Sequence, residues 1–197
     1  MADNQVNNSF GDLMELIGFD RTSQQTDIME ICRKFLGNLT LNPTILDRMS
    51  VFNDEEKKCE RIAQISVDER FNMMLLRWQP GVANVLHDHS NSRAYFKVLR
   101  GRVKEVHYNY DVSRPQGERL RDRASLTINE GEMNDLDNFR DYHRVFNVGD
   151  RVAVTIHIYI PPLRMCRCIN QETEDITDVW MDENARGKLY VYEAYRD

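Results

Sequence analysis

Residues 151–160 are the part of the sequence that most constrains the fold, because their side chains alternate between two chemical types. In an extended strand, successive side chains point to opposite faces. One face carries Val152, Val154, Ile156, Ile158 and Ile160, and the other carries Ala153, Thr155, His157 and Tyr159. Two prolines follow at once, and proline cannot donate to a strand ladder. A strand with one apolar and one polar-aromatic face is typical of a barrel wall whose interior has a function.

Further segments with strand character occupy much of the chain after residue 70. They cover 71–78, 85–89, 94–99, 103–110, 124–129, 145–148, 165–169, 176–181 and 189–195. Glycine, proline or polar residues separate them, and many short strands with such turns favour a β-sandwich or barrel.

The residues before this region have a different pattern of apolar residues. Apolar residues at helical spacing predict helices over 10–19 and 27–41, with a short third helix over 44–52. The charged stretch 54–61 is expected to be a solvated surface.

The change from helical to strand-like spacing near residue 70 suggests one domain with two parts. We expect a flexible N-terminus over 1–8 and a single domain over 9–197, which the 197 residues are long enough to form. Its helical part runs from about 9 to 60 and its β-barrel from about 70 to 197.

Composition and charge exclude several classes of partner. The net charge of -6 gives no basic footprint for nucleic acid, and no apolar run approaches the roughly 20 residues that span a bilayer. The N-terminus lacks the features of a secretory signal, so the four cysteines are expected to be reduced thiols in a cytoplasmic protein. Cys166 and Cys168 are too close in sequence for the usual zinc pairs and are interpreted as two thiols on one strand face.

The tripeptide His87-Asp88-His89 lies in one of the predicted strands. In a strand the two imidazoles share a face, where they can bind one zinc, copper, iron or nickel ion, while Asp88 points away and orients a neighbouring group. Two histidines on a solvated strand are the alternative.

The spacing around these histidines resembles the first motif of the cupin superfamily. Gly81, His87, His89 and Gly101 stand at the motif's intervals, and the segment from His143 to Asn147 resembles the end of the second motif. The resemblance implies an all-β fold, a cupin double-stranded β-helix (jelly-roll) barrel with two or three N-terminal α-helices. It also implies one metal held by three histidines, His87, His89 and His143.

Position 94 distinguishes this chain from ordinary cupins, which place a metal-binding glutamate there. Ala94 has no donor atom, so we expect a site of three neutral imidazoles that leaves the full +2 charge on the metal. Such a site favours an anionic ligand, and a thiolate is a soft anion. Three protein ligands also leave positions open for substrate and O₂.

A cupin with three histidines and no glutamate resembles the cysteine dioxygenases, over roughly residues 10–185. The segments that carry this resemblance are 71–78, 87–92, 101–105, 143–145 and 155–162. It implies one Fe(II) per chain, held by the three histidines, and oxidation of cysteine by O₂ to cysteine sulfinic acid. It further implies a monomer that acts in cysteine catabolism and taurine biosynthesis.

The same resemblance assigns roles to other residues. Arg61 would clamp the substrate carboxylate, although pairing with Glu56 or Glu60 is an alternative. Thr155, His157 and Tyr159 would form a row beside the iron, with His157 orienting the Tyr159 hydroxyl.

Two positions depart from the animal members of the family. Those proteins usually have a cysteine at the position of Ala94 that becomes linked to the active-site tyrosine, so Tyr159 is expected to remain a free phenol. The family often has a tyrosine where this chain has Cys59, which is interpreted as a plain small residue rather than a reactive one.

Three other functions stay open at this stage. The chain could oxidise another thiol, such as 3-mercaptopropionate or cysteamine, and Arg61 favours one that bears a carboxylate. It could bind a metal or thiol without turnover, or it could be a zinc hydrolase or lyase. His107 is expected to be a surface or structural histidine, and Met73, Met74 and Trp78 are expected in the core.

Overall fold

The computed structural model describes residues 25–51, 59–68, 70–136 and 142–181. For residues 59–68 the structure describes the backbone alone. The helix predicted over 10–19 and the strand predicted over 189–195 lie outside this part of the chain.

Two helices precede the sheets. Helix α1 is Gln25–Asn38, and helix α2 is Pro43–Met49. The side chain of Asn42 accepts a hydrogen bond of 2.8 Å from the Thr44 N–H and so caps the start of α2, where Pro43 needs no donor partner. Neither described helix is long and apolar enough to cross a membrane.

Eleven strands follow in the described part of the chain. They are β1 (Cys59–Asp68), β2 (Phe71–Trp78), β3 (Leu86–His87), β4 (Arg93–Arg100), β5 (Arg102–Tyr110), β6 (Leu120–Asn129), β7 (Met133–Leu136), β8 (Tyr142–Asn147), β9 (Ala153–Ile160), β10 (Met165–Ile169) and β11 (Ile176–Trp180). They form a five-stranded sheet in the order β1-β2-β9-β4-β7 and a six-stranded sheet in the order β11-β10-β3-β8-β5-β6. This antiparallel, two-sheet jelly roll confirms the cupin fold expected from the sequence.

Strand β9 is buried on both faces, as the alternation of its side chains anticipates. Its even-numbered residues, such as Ile156 and Ile158, pack with Phe35 and Leu36 of α1 in one apolar cluster. Its odd-numbered residues, such as Ala153 and Tyr159, belong to a second cluster between the sheets. The polar-aromatic face of β9 therefore lines the barrel interior.

Two strands were not predicted. The register of β1 against β2 shifts between Arg61 and Ala63 and again between Ser66 and Asp68, and such bulges break the period-two pattern that marks a strand. Strand β7 has only four residues. The strand predicted over 85–89 is shorter than expected, because the chain turns after β3 and Ser90 has a φ of 54°.

Candidate metal centre

Three histidines converge inside the barrel. His87 ends β3 and pairs in register with His143 of β8, while His89 lies two residues beyond β3. Their ligand nitrogens all lie within 4.8 Å of one another, and no carboxylate of the described residues belongs to the group. The structure thus brings together the three residues that the sequence predicts as metal ligands.

Hydrogen bonds orient two of these imidazoles. His87 Nδ1 lies 2.8 Å from the Val85 carbonyl oxygen, and His143 Nδ1 lies 2.6 Å from Glu105 Oε1. Both acceptors require the hydrogen on Nδ1, which leaves each Nε2 lone pair free.

The spacing and protonation of the nitrogens suit a metal ion. His143 Nε2 and His89 Nε2 are 3.1 Å apart, close to the roughly 3 Å expected for two nitrogens bound about 2.1 Å from one ion at a right angle. Burial, followed by the neighbouring His143, lowers the pKa of His87 to about 3 and holds the pKa of His89 well below its ordinary value. Neutral imidazoles are the form that binds a metal.

Glu105 stands behind the cluster rather than in it. Its side chain is fully buried on β5, where Oε2 accepts a 2.5 Å hydrogen bond from the Asn134 amide and Oε1 also lies 3.5 Å from His107 Nε2. Burial alone would raise the pKa of Glu105, but the bonds from His107 and His143 outweigh it and lower the pKa. A carboxylate whose ionised form is favoured is thus fixed against one predicted ligand.

Sequence reasoning assigned no role to Glu105. The sequence does contain a signal for this role, because Glu105 alternates with Val103 and His107 in β5. These three residues share one face of the strand, so the carboxylate lies on an inward face. His107, expected to be a surface or structural histidine, is mostly buried, with its side chain only 17% exposed.

Asp88 points away from the three imidazoles, as predicted. Its Oδ1 accepts hydrogen bonds from the N–H groups of Ser90 and Arg167, and its Oδ2 accepts a 2.7 Å bond from the Arg167 guanidinium. This fully buried carboxylate ties the turn after β3 to β10 and so fixes the loop that carries His89.

The row on β9 contacts the cluster from the opposite sheet. The Trp78 indole N–H donates to Thr155 Oγ1 at 2.9 Å, and Thr155 Oγ1 lies 2.9 Å from His157 Nε2. The ring of Tyr159 stacks parallel to that of His157, with centroids 6.2 Å apart, and stands edge-on to His89 at 5.2 Å. His157 Nε2 thus faces Thr155 and its ring lies parallel to the Tyr159 ring, so the described hydrogen bonds do not include the predicted one from His157 to the Tyr159 hydroxyl.

A cavity opens beside the imidazoles. Apolar side chains dominate its wall, among them Met74, Leu76, Leu163 and Met181. Its polar lining includes His87, His143, His157, Tyr159, Cys166 and Cys168. The geometry gives a metal-binding group at the wall of a largely apolar chamber, which suits a small ligand.

The chain matches a known family over most of its length. Residues 11–172 match the family described as "Cysteine dioxygenase type I". The chain belongs to this family.

Individual cysteine dioxygenases match a shorter part. The cysteine dioxygenase type 1 of Danio rerio is 32% identical over 111 residues, 54% of this chain and 55% of that protein. Those of Rattus norvegicus and Homo sapiens are each 30% identical over 105 residues, 53% of this chain and 52% of theirs. The chain spans about half the length of the curated relatives it matches.

Two solved structures are similar to part of this chain. A Klebsiella pneumoniae protein with a double-stranded beta-helix domain is 10% identical, with 68% of this chain and 86% of that chain covered and a TM-score of 0.44. An oxalate oxidase in complex with glycolate is 16% identical, with 66% and 59% covered and a TM-score of 0.42.

Ala94 stands at the position where the resemblance leads us to expect a cysteine in animal members of the family. Ala94 is fully buried and is the direct cross-strand partner of Tyr159 between β4 and β9. Directly opposed side chains lie on one face of a sheet. The register therefore places residue 94 beside the tyrosine, where the chain offers only a methyl group.

The expected substrate-binding end lies mostly beyond what the structure describes. The backbone of Arg61 pairs with Leu76 on β2, and Cys59 pairs with Trp78. The side chains of Arg61 and Cys59 are outside the described residues, so the role of each stays a prediction.

Proposed function

We propose that the protein is a non-haem Fe(II) thiol dioxygenase, which oxidises L-cysteine with O₂ to cysteine sulfinic acid and binds one iron per chain. The observation that carries the proposal is the cluster of His87, His89 and His143, which no carboxylate of the described residues joins, in a member of the cysteine dioxygenase type I family. Ferrous iron, when bound there, would supply the redox chemistry that joins a thiol to O₂.

The three imidazoles give the site its preference for an anion. Because His87 and His89 are held neutral by burial, the protein ligands do not offset the charge of a divalent cation. A thiolate balances that charge better than a neutral ligand does. The apolar wall excludes water and strengthens this attraction.

Arg61 is the residue we expect to orient the substrate. A guanidinium is permanently charged and presents a planar fork that matches a carboxylate. Bonds of this kind contribute about 1.5–3 kcal/mol each. The register supports the assignment, since its partner Leu76 lines the cavity.

Tyr159 is suited to donate a hydrogen bond to the substrate or to O₂. Burial, with a smaller effect of Cys166, raises the pKa of Tyr159, so the side chain stays a neutral phenol. His157 is also neutral, because burial lowers its pKa to about 3. The row of Thr155, His157 and Tyr159 therefore offers oriented dipoles rather than charges.

A second substrate class has one observation in its favour. Apolar side chains such as Met74, Leu163 and Met181 dominate the described cavity wall. They suit a thiol acid without an amine, such as 3-mercaptopropionate. A lower KM for this compound than for cysteine would favour it.

The deciding experiment measures O₂ uptake and sulfinate with iron-loaded protein and cysteine. We expect one sulfinate formed per O₂ consumed, and a steep rise in the KM for cysteine in Arg61→Ala, with Arg121→Ala on exposed β6 as the matched control. Protein that holds iron and binds cysteine but consumes no O₂ would instead be a non-catalytic thiol-binding cupin. A cytoplasmic location, a monomeric state and a place in taurine biosynthesis remain predictions.

A further inference from the structure

Two cysteines lie together on the cavity wall, and the proposed reaction uses neither. Cys166 and Cys168 are alternate residues of β10, their Sγ atoms are 3.8 Å apart, and both line the cavity beside the three-histidine group. The sequence expectation of two thiols on one strand face is met. Their place on the cavity wall was not anticipated.

The thiols are close to the predicted metal ligands. Cys168 is the direct cross-strand partner of His87 between β10 and β3. Directly opposed side chains have Cβ atoms about 5 Å apart and share a face. A small molecule released at Cys168 is therefore released next to the metal centre.

The two thiols differ in exposure. Cys166 is only 3% exposed, whereas Cys168 is half-buried. Their Sγ atoms lie 3.8 Å apart, and either thiol can donate the hydrogen bond between them. Cys168 is thus the thiol that a ligand in the cavity reaches first, and Cys166 is placed to attack the same sulfur afterwards.

A structural metal is a poor alternative for this pair. A structural zinc site needs four ligands. Among the described residues, the cluster of three or more possible metal ligands is formed by the histidines and does not include either thiol.

We propose that Cys166 and Cys168 form a thiol–disulfide exchange site. Its substrates are small disulfides RS–SR whose reduced form, the thiol RSH, is the ligand that the cavity binds. The Cys168 thiolate attacks one sulfur of a disulfide RS–SR, which forms a mixed disulfide and releases RS⁻. Cys166 then attacks Cys168 Sγ, closes an intrachain disulfide and releases the second thiol. The protein loses two hydrogens, and one RS–SR is reduced to two RSH.

The spacing makes the resulting bridge easy to reverse. Cα atoms two residues apart in a strand are separated by about 6.6 Å, at the upper end of the roughly 4.4–6.8 Å that disulfides span. The two thiols can therefore close a bridge, and we expect external thiols to reduce a bridge near this upper limit more readily than one of the commonest geometry. The pair suits repeated exchange better than permanent cross-linking.

The consequence for the metal centre rests on the proposed function. If the protein oxidises thiols, then exchange at Cys168 converts an inert disulfide into substrate beside His87. The exchange itself needs neither O₂ nor turnover, so it is tested separately.

The test uses the full-length, iron-loaded, reduced protein under strict exclusion of O₂, with cystine as the probe. Released cysteine is trapped with an alkylating agent and counted, and peptide mass spectrometry locates the change in the protein. We expect two cysteines released per chain and the loss of two hydrogens from the peptide that contains residues 166 and 168.

Single variants separate the two steps. Cys166→Ser should release one cysteine and retain the other as a mixed disulfide at Cys168, and Cys168→Ser should lower the rate at least tenfold. The control Cys32→Ala removes a buried thiol of α1 and should exchange as the unchanged protein does. Retained iron binding shows that each variant is folded.

The proposal is overturned if the 166–168 peptide keeps its hydrogens while cysteine is released, or if Cys168→Ser exchanges at the original rate. If the protein forms no sulfinate in air, the proposed dioxygenase activity is contradicted. The anaerobic exchange between cystine and the two cysteines is unaffected by that outcome.

Discussion

Glu105 and Ala94 show how single residues define the character of this centre. Glu105 is fully buried but holds the Nδ1 side of His143, so its charge acts through a ligand and not on the ion directly. Ala94 removes the donor that ordinary cupins place beside the histidines. In the part of the chain that the structure describes, the site therefore has an oriented imidazole and no carboxylate beside the three histidines.

The sequence predicted the three histidines but not Glu105, the residue that holds His143 in place. His87 and His89 stand two residues apart in a motif with fixed spacing, and His143 lies in a second motif. Glu105 acquires its role only when β5 pairs with β8, a contact across 38 residues. Local patterns do not encode such pairing, so the partner of His143 could not be inferred.

Glu105→Gln should weaken metal binding by about 10–100-fold, because the amide lacks the charge that orients and polarises His143. Competitive titration with a metal-binding dye measures the affinity. Glu118→Gln is the matched control, since its side chain is 59% exposed beside Arg121. Equal affinities in the two variants would contradict the role given to Glu105.

Ala94→Cys should allow a covalent linkage to Tyr159, because the two positions are direct cross-strand partners. We expect the loss of two hydrogens in the intact mass after incubation with iron, O₂ and cysteine. Omission of iron should prevent it, and Ala94→Ser should show no loss. An unchanged mass in the iron-loaded cysteine variant would contradict the placement of residue 94.

At the scale of elements, α1 rests against the outer face of the five-stranded sheet, and Lys97 connects them. Its Nζ donates to the carbonyls of Leu36, Gly37 and Leu39 at 2.8–2.9 Å, which satisfies acceptors at the end of the helix. The sequence predicted α1 and β4 but not this link. A lysine inside a strand indicates a solvated position unless the tertiary contact is known.

Lys97→Met should lower the free energy of unfolding by roughly 2–3 kcal/mol, because it leaves buried carbonyls without a charged donor. Urea denaturation followed by circular dichroism measures this change. The control Lys34→Met alters an exposed lysine of α1 and should change stability by less than about 0.5 kcal/mol. Similar losses in both variants would mean that Lys97 contributes no more than a surface lysine.

At the scale of the whole molecule, the centre joins parts of the fold that are distant in sequence. His87 and His143 come from the six-stranded sheet, and Tyr159 faces them from the five-stranded sheet. Strand alternation and turns predicted a β-sandwich or barrel, and the resemblance to the cupin motifs implied the jelly roll. The bulged β1, whose pattern is irregular, could not be predicted.

Metal binding should stabilise the folded chain, because the unfolded chain lacks the converged imidazoles. Ferrous iron at about 100 times its Kd contributes about 2.7 kcal/mol and should raise the Tm by roughly 5–10 °C under anaerobic calorimetry. His89→Ala should lose this shift, and Mg²⁺, which prefers oxygen ligands, should not produce it. An equal shift in His89→Ala would place the ion elsewhere.

X-ray absorption spectroscopy of the iron-loaded protein tests the central claim most directly, because it reports the ligands of the ion itself. We predict scattering from three imidazoles, with the remaining ligands being water, and the appearance of a sulfur shell when cysteine is added without O₂. Fewer than three imidazoles, or a carboxylate from the protein in the coordination sphere, would contradict the three-histidine centre and the thiol chemistry inferred from it.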